Sequence, residues 1–244
     1  MDKRIAIVIG GSRGIGAAVV RLAASEGYCV LFSFASRADD AVALEQAVAS
    51  AGGEAYGVQA DAANEAELTA LFDRAATLGR ISALVYSAGI TGTASSLADA
   101  SADTLRRVID VNLVGSMLAA REAVRRMSTA RDGQGGAIVF ISSRAAKLGS
   151  AGEYIWYAAS KGGVDSLAIG LSKEVGGEGI RVNCVSPGPV ETDMLSAERL
   201  AIGASRVPMQ RVGQPEEIAQ AVLYLLSDAA SYVTGANLAV SGGA

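Results

Sequence analysis

Short apolar, β-rich runs alternate along the whole chain with longer amphipathic ones, and this alternation narrows the fold more than any other feature. Arg4–Ile9, Tyr28–Phe34, Glu54–Gln59, Ala83–Tyr86, Ala137–Ile141 and Arg181–Val185 read as strands, with Asn237–Val240 as a last one. Helices fill the gaps at Gly14–Ser25, Asp39–Ala51, 64–78, 102–130, 154–176 and 215–227, the last opened by Pro215 at a first-turn position. Near-continuous apolar strands are typical of burial on both faces, which calls for a parallel sheet with helices on each side. No linker-like stretch or internal repeat divides the chain. The expectation is therefore α/β: one doubly wound domain spanning residues 1–244.

Composition removes several kinds of chemistry. Half of the 244 residues are hydrophobic, enough for a substantial core, and 29 glycines suit helices packed closely on a sheet. A net charge of −4 without a Lys/Arg cluster points away from nucleic acid. No run approaches the ~18 apolar residues of a membrane span, and the start lacks the apolar segment of a signal peptide, so a cytoplasmic location is expected. Cys29 and Cys184 each sit in an apolar strand and read as small core residues, with no disulfide expected. Histidine is absent, which removes histidine triads and histidine-ligated zinc. Acid–base work falls to tyrosine, lysine or carboxylates, and no metal centre is expected.

Two local patterns carry chemistry. After the first strand, Gly10-Gly11-Ser12-Arg13-Gly14-Ile15-Gly16 runs straight into a helix. Glycines there let the backbone turn tightly and approach a pyrophosphate at the helix N-terminus. Further on, Tyr157 and Lys161 stand four apart in a helical segment, so they share one face. A phenol titrates near ~10, too high for easy proton exchange at neutral pH, and a nearby ammonium favours its ionised form. Alone, either pattern also fits a plain turn or a surface pair.

Together, in this order, they resemble the short-chain dehydrogenases/reductases. The glycines at 10, 14 and 16 give that family's GxxxGxG rather than GxGxxG, and other matches follow along nearly the whole chain. These are Asp61, Ala88-Gly89, Asp110-Val111-Asn112, Ser142-Ser143, and Pro187-Gly188 with Thr192. The resemblance implies a Rossmann-type sheet and hydride transfer between a nicotinamide dinucleotide and a carbonyl or secondary alcohol. It implies Tyr157 as the general acid or base and Lys161 as the group that lowers its pKa and holds the nicotinamide ribose. Ser143 would polarise the substrate carbonyl, and Asn112 would anchor a water leading from Lys161. Gly10, Ser12, Arg13, Gly14, Ile15, Gly16, Ser36, Arg37, Asp61, Ala62, Ser87, Ala88, Gly89, Pro187, Gly188, Val190 and Thr192 would hold the cofactor. Asp61 would contact the adenine.

Around the second strand's end, Ser33-Phe34-Ala35-Ser36-Arg37 holds no carboxylate to repel a 2′-phosphate, while Arg13, Ser36 and Arg37 offer it donors. NADP(H) is the expected cofactor, with NAD(H) the alternative. Ile90, Thr91, Arg144, Tyr154 and Trp156 are the substrate-pocket candidates, and Val190–Pro208 is the expected lid, with Met194, Leu195 and Arg199 among its mixed residues. They suit a partly apolar carbonyl compound. A 3-oxoacyl thioester, a sugar, or a non-catalytic NADP-binding regulator stays open. Tyr154 also stands at the wider tyrosine–lysine spacing of divergent enoyl reductases, whose glycine loop differs from this one. Ile9 and Tyr86-Ser87 replace the family's threonine and two asparagines, and are expected to repack together apolarly. Helices 102–130 and 154–176 and the last strand suggest a homotetramer.

Overall fold

The computed structural model describes residues 3–193 and 197–244, with positions 197 and 199 described by backbone alone. Met194 and Leu195 of the expected lid, and the Arg199 side chain, lie outside this description. The strands are β1 (Arg4–Ile9), β2 (Cys29–Phe34), β3 (Glu54–Gln59), β4 (Arg80–Tyr86), β5 (Gly136–Ile141), β6 (Ile180–Pro187) and β7 (Asn237–Val240). They form one seven-stranded sheet in the order β3-β2-β1-β4-β5-β6-β7. Every pairing is parallel. The chain runs from β1 out to β3, then returns to β4 on the other side of β1. That reversal leaves a crevice beyond the carboxyl ends of β1 and β4.

The helices are α1 (Gly14–Ser25), α2 (Ala38–Ser50), α3 (Glu65–Leu78), α4 (Ala102–Ile109), α5 (Gly115–Met127), α6 (Ala145–Leu148), α7 (Ile155–Val175), α8 (Ala197–Arg206) and α9 (Pro215–Leu226). One core joins the sheet to α1, α2 and α9 through residues such as Val20, Leu44 and Val222. The other joins its opposite face to α3, α5 and α7 through Leu68, Phe72, Ala119 and Val164. This is the doubly wound, Rossmann-type single domain expected from the alternation. Local signals fix several ends. Asn64 caps α3 by accepting from the Ala66 and Glu67 amides, and Gln214 with Glu217 forms a capping box ahead of Pro215. Among the described residues, no helix is long and apolar enough to cross a membrane.

One expectation fails in an informative way. Residues 102–130 are not one helix: α4 passes into a π-helical turn, Asp110–Val114, before α5 begins. A π turn takes one carbonyl out of the ordinary ladder, and such turns recur at functional sites. Here the Val111 carbonyl accepts instead from the Tyr86 hydroxyl at the end of β4. Gly115 is required beside it, because a Cβ there would run into the Tyr86 hydroxyl and the Ala62 carbonyl.

Candidate active site

The strand ends open into a cleft of about 670 Å³. Its floor begins with the glycine turn. Gly10 has φ +78° and lies so near Ala88 that a Cβ would come within 2.7 Å of the Ala88 backbone. Only glycine combines that conformation with that approach.

Tyr157 and Lys161 come from the first turns of α7, Ser143 from just beyond β5, and Tyr157 faces the cleft half-buried. Ser143 lines the cleft beside it and is the side chain that favours its ionised form. Burial pushes the phenol above its usual pKa, and Ser143 pulls against that without reversing it. Lys161 is 3 % exposed, and burial lowers its ammonium to about 8, opposed by the charges of Cys184 and Asp165. Its Nζ donates to the Ile141 carbonyl at 2.8 Å and lies 5.8 Å from the centre of the Tyr157 ring. Lys161 sits beneath the ring, bonded elsewhere, and burial and Ser143 govern the phenol.

Asn112, fully buried in the π turn, lies behind the cleft wall instead of on it. Its Nδ2 donates to the Ile90 carbonyl and to Ser160 Oγ, while its Oδ1 accepts from the Ile90 amide. Gly89 lies in front of it: a Cβ there would stand 3.3 Å from Lys161 Nζ and 3.6 Å from Asn112 Oδ1. The segment after β4 is thus clamped to the π turn twice, through Asn112 and through Tyr86.

At the other end, Ser12, Arg13, Gly14, Ile15 and Ser36 line the cleft below β1 and β2. Phe34 stands at the end of β2, in a Ser33–Arg37 stretch that itself holds no carboxylate. Arg13 and Arg37 converge on an anion supplied by the protein itself, the Asp193 carboxylate, at 3.5 and 3.1 Å. The glycine turn and open helix N-terminus fit the pyrophosphate of a dinucleotide.

A family model described as Enoyl-(Acyl carrier protein) reductase matches residues 9–244. An uncharacterized oxidoreductase of Escherichia coli K12 is 46% identical, over 98% of this chain and 99% of its own. The solved short-chain dehydrogenase/reductase of Serratia marcescens superposes with a TM-score of 0.92 at 38% identity, covering 98% of this chain and 97% of that one. The chain belongs to the short-chain dehydrogenase/reductase family. A blue fluorescent protein from a metagenomic library, solved with NADPH, superposes with a TM-score of 0.91 at 35% identity, over 98% of this chain and 97% of that chain. As a member of the family, the chain is an oxidoreductase working with a nicotinamide dinucleotide.

For this short-chain dehydrogenase/reductase the structure brings most of the sequence candidates to one cleft. Asp61, Ala62, Ser87, Ala88, Gly89, Ile90, Thr91, Tyr154, Pro187, Gly188, Val190 and Thr192 all line it. Five do not. Gly16 packs under the Gly10 carbonyl, where a side chain would collide. Arg37 points across the rim to Asp40 and Asp193, and Asn112 lies behind the wall. Arg144 turns away, its Nε donating to the Ala244 oxygen at 2.6 Å. Trp156 is buried, with Nε1 donating to the Thr91 carbonyl at 2.7 Å, so it supports the pocket wall without lining it. The apolar repacking expected of Ile9 and Tyr86 holds in part: they pair directly across β1 and β4, both buried, but the Tyr86 hydroxyl keeps a polar task.

Sequence reasoning passed over several groups. Arg107 on α4 grips the Asp61 carboxylate with both oxygens, at 2.9 and 3.1 Å. Burial alone would raise the Asp61 pKa, but the Ala63 amide and Arg107 bring it below the ordinary value. Ser142 donates to buried Asp165 at 2.6 Å, one helical turn beyond Lys161, and Asn237 donates to the same oxygen at 2.8 Å. An acidic residue four positions after Lys161 was the available signal.

Proposed function

We propose that the chain is an NADP(H)-dependent enzyme interconverting a carbonyl and a secondary alcohol, with Tyr157 moving the proton. The observation that carries this reading is the Tyr157–Ser143 hydroxyl pair on the cleft wall with the Lys161 ammonium beneath. A bound nicotinamide supplies the hydride. Tyr157, held protonated by burial, gives its proton to the substrate oxygen. Ser143 is the second donor to that oxygen as negative charge gathers on it. Lys161 replaces the proton on Tyr157 and holds the nicotinamide ribose, while Asn112 keeps the Gly89–Ile90 segment at its level. Arg13, Ser36 and Arg37 receive the 2′-phosphate, and the NADPH-bound neighbour supports that choice.

Between Thr91 and Tyr154 the wall is partly apolar and partly polar, with Ile90, Gly92, Ser150 and Glu153 alongside, which suits a compact carbonyl compound. A 3-oxoacyl carrier needs cations near the mouth, and of the two candidates Arg144 is engaged with Ala244, which leaves the largely exposed Lys147, 3.9 Å from Asp165. Enoyl reduction, which the family model's description brings up, would call on Tyr154. That residue opens α7, edge-on to Trp156 at 6.4 Å, whereas Tyr157 is the partner of Ser143. Self-association is part of the proposal. The edge strand β7 is largely exposed, Leu238 within it included, and Tyr232 is fully exposed, which supports a homotetramer.

Oxidation of NADPH and NADH should be followed against cyclic and open-chain ketones, 3-oxoacyl thioesters, enoyl thioesters and sugar-derived lactones. Turnover of ketones, faster with NADPH, is the expected result. Turnover confined to enoyl thioesters would replace carbonyl reduction with the enoyl reading.

A further inference from the structure

Arg13 and Arg37 come from different turns, one ahead of α1 and one ahead of α2, yet both aim at a single carboxylate contributed by a third segment. Arg37 holds a left-handed backbone conformation, φ 60°, at the start of α2. Asp40 secures the inner edge of its guanidinium, with Nε 2.8 Å from Oδ2 and Nη2 3.4 Å from Oδ1. The outer nitrogen, Nη1, is left for Asp193 at 3.1 Å. Asp193 follows Thr192, whose side chain packs against Gly14 so closely that a Cβ there would come within 3.1 Å. It is therefore held over the glycine turn. Two cations face two anions, so the site has no net charge left for a ligand.

We propose that Asp193 is a cofactor-specificity residue, an internal competitor that occupies the guanidinium edges a ribose 2′-phosphate needs. This rests on the reading of Arg13 and Arg37 as the 2′-phosphate site. The two aspartates differ in task. Asp40, with 30 % of its side chain exposed, orients Arg37 from the side of α2. Asp193, 66 % exposed, takes the ligand-facing edge and can leave it. A phosphate brings more charge and three acceptor oxygens, so it displaces one carboxylate. The displacement weakens NADP(H) binding, and leaves NAD(H), which carries no group for this edge, untouched. Selectivity is thereby held below what two unopposed arginines would give.

The test uses Asp193→Asn, which keeps shape and removes charge, and calorimetric titration with 2′,5′-ADP and 5′-AMP. These fragments reach only the adenosine end and differ in the 2′-phosphate. Asp193→Asn should tighten 2′,5′-ADP about threefold in low salt, in line with an exposed ion pair, and leave 5′-AMP unchanged. The gain should shrink in high salt, which a purely structural effect would not do. No gain, a loss, or equal gains for both fragments would overturn the assignment. Arg37→Glu separates the two levels. If it weakens 2′,5′-ADP while Asp193→Asn changes nothing, Asp193 alone loses its role. If it treats the two fragments alike, the 2′-phosphate site fails and the competitor fails with it.

Discussion

At the Tyr157 end of the cleft the polar groups are walled in. Lys161 is 3 % exposed, Asn112 fully buried, and each is bonded to backbone of a neighbouring strand end. At the β2 end, the Arg13 and Arg37 side chains remain 46 % and 52 % exposed and meet the exposed Asp193 and the half-buried Asp40. Burial governs the first set, moving Lys161 down and Tyr157 up. Solvent and salt govern the second, where ion pairs are weak and exchangeable. On the proposed function, chemistry occupies the walled-in end, and the choice of dinucleotide the end that water can tune.

Substitutions at the two ends should differ in size accordingly. The largest effect belongs to Tyr157→Phe, which should lower kcat about a thousandfold while dinucleotide affinity, read by fluorescence titration, stays within a factor of about two. Arg37→Glu should raise the KM for NADPH roughly tenfold and move that for NADH little. A kcat loss there as large as that of Tyr157→Phe would erase the contrast between the ends.

Tyr86→Phe removes one buried hydroxyl and strands the Val111 carbonyl, costing about 1–3 kcal/mol in denaturant unfolding. Because the π turn also carries Asn112, kcat should fall severalfold too. A variant as stable and active as the parent would dissociate Tyr86 from the site.

Lys161 offers a pH test of burial. Its folded pKa of about 8 lies below the ordinary 10.5, so between those values the unfolded chain binds a proton that the folded chain does not. Stability then rises with pH across that window, and is lost as pH falls through about 8. The whole shift is on the order of 3 kcal/mol. The raised Tyr157 pKa acts oppositely, but only above its ordinary value of 10. Urea unfolding of Lys161→Met between about pH 8 and pH 10 should show a flatter profile than the parent. Identical slopes would show that another group carries it.

How legible these ends were follows the same division. α1 begins and ends where the glycine turn and amphipathic run placed it, because strand, turn and helix lie within one short stretch. Tyr157, Lys161 and Ser143 were legible because the family order put each at a strand end or helix start. The π turn was not: Asp110-Val111-Asn112 has ordinary helix-forming neighbours, and the break depends on a tyrosine 25 residues earlier in the chain. Nor was Asp193, which meets Arg37 across 156 residues. Arg144 and Trp156 sit beside Ser143 and Tyr157 in sequence, but adjacency does not set direction. One turns to Ala244 and the other to Thr91.

The most direct test is a single-turnover stopped-flow measurement of NADPH oxidation by a ketone substrate, comparing the parent with Tyr157→Phe and Tyr154→Phe. Hydride transfer should collapse in Tyr157→Phe and persist in Tyr154→Phe, with both variants still binding NADPH. Near-parental transfer in Tyr157→Phe, with loss in Tyr154→Phe, would contradict the proton-donor role of Tyr157 and move the chemistry to the head of α7.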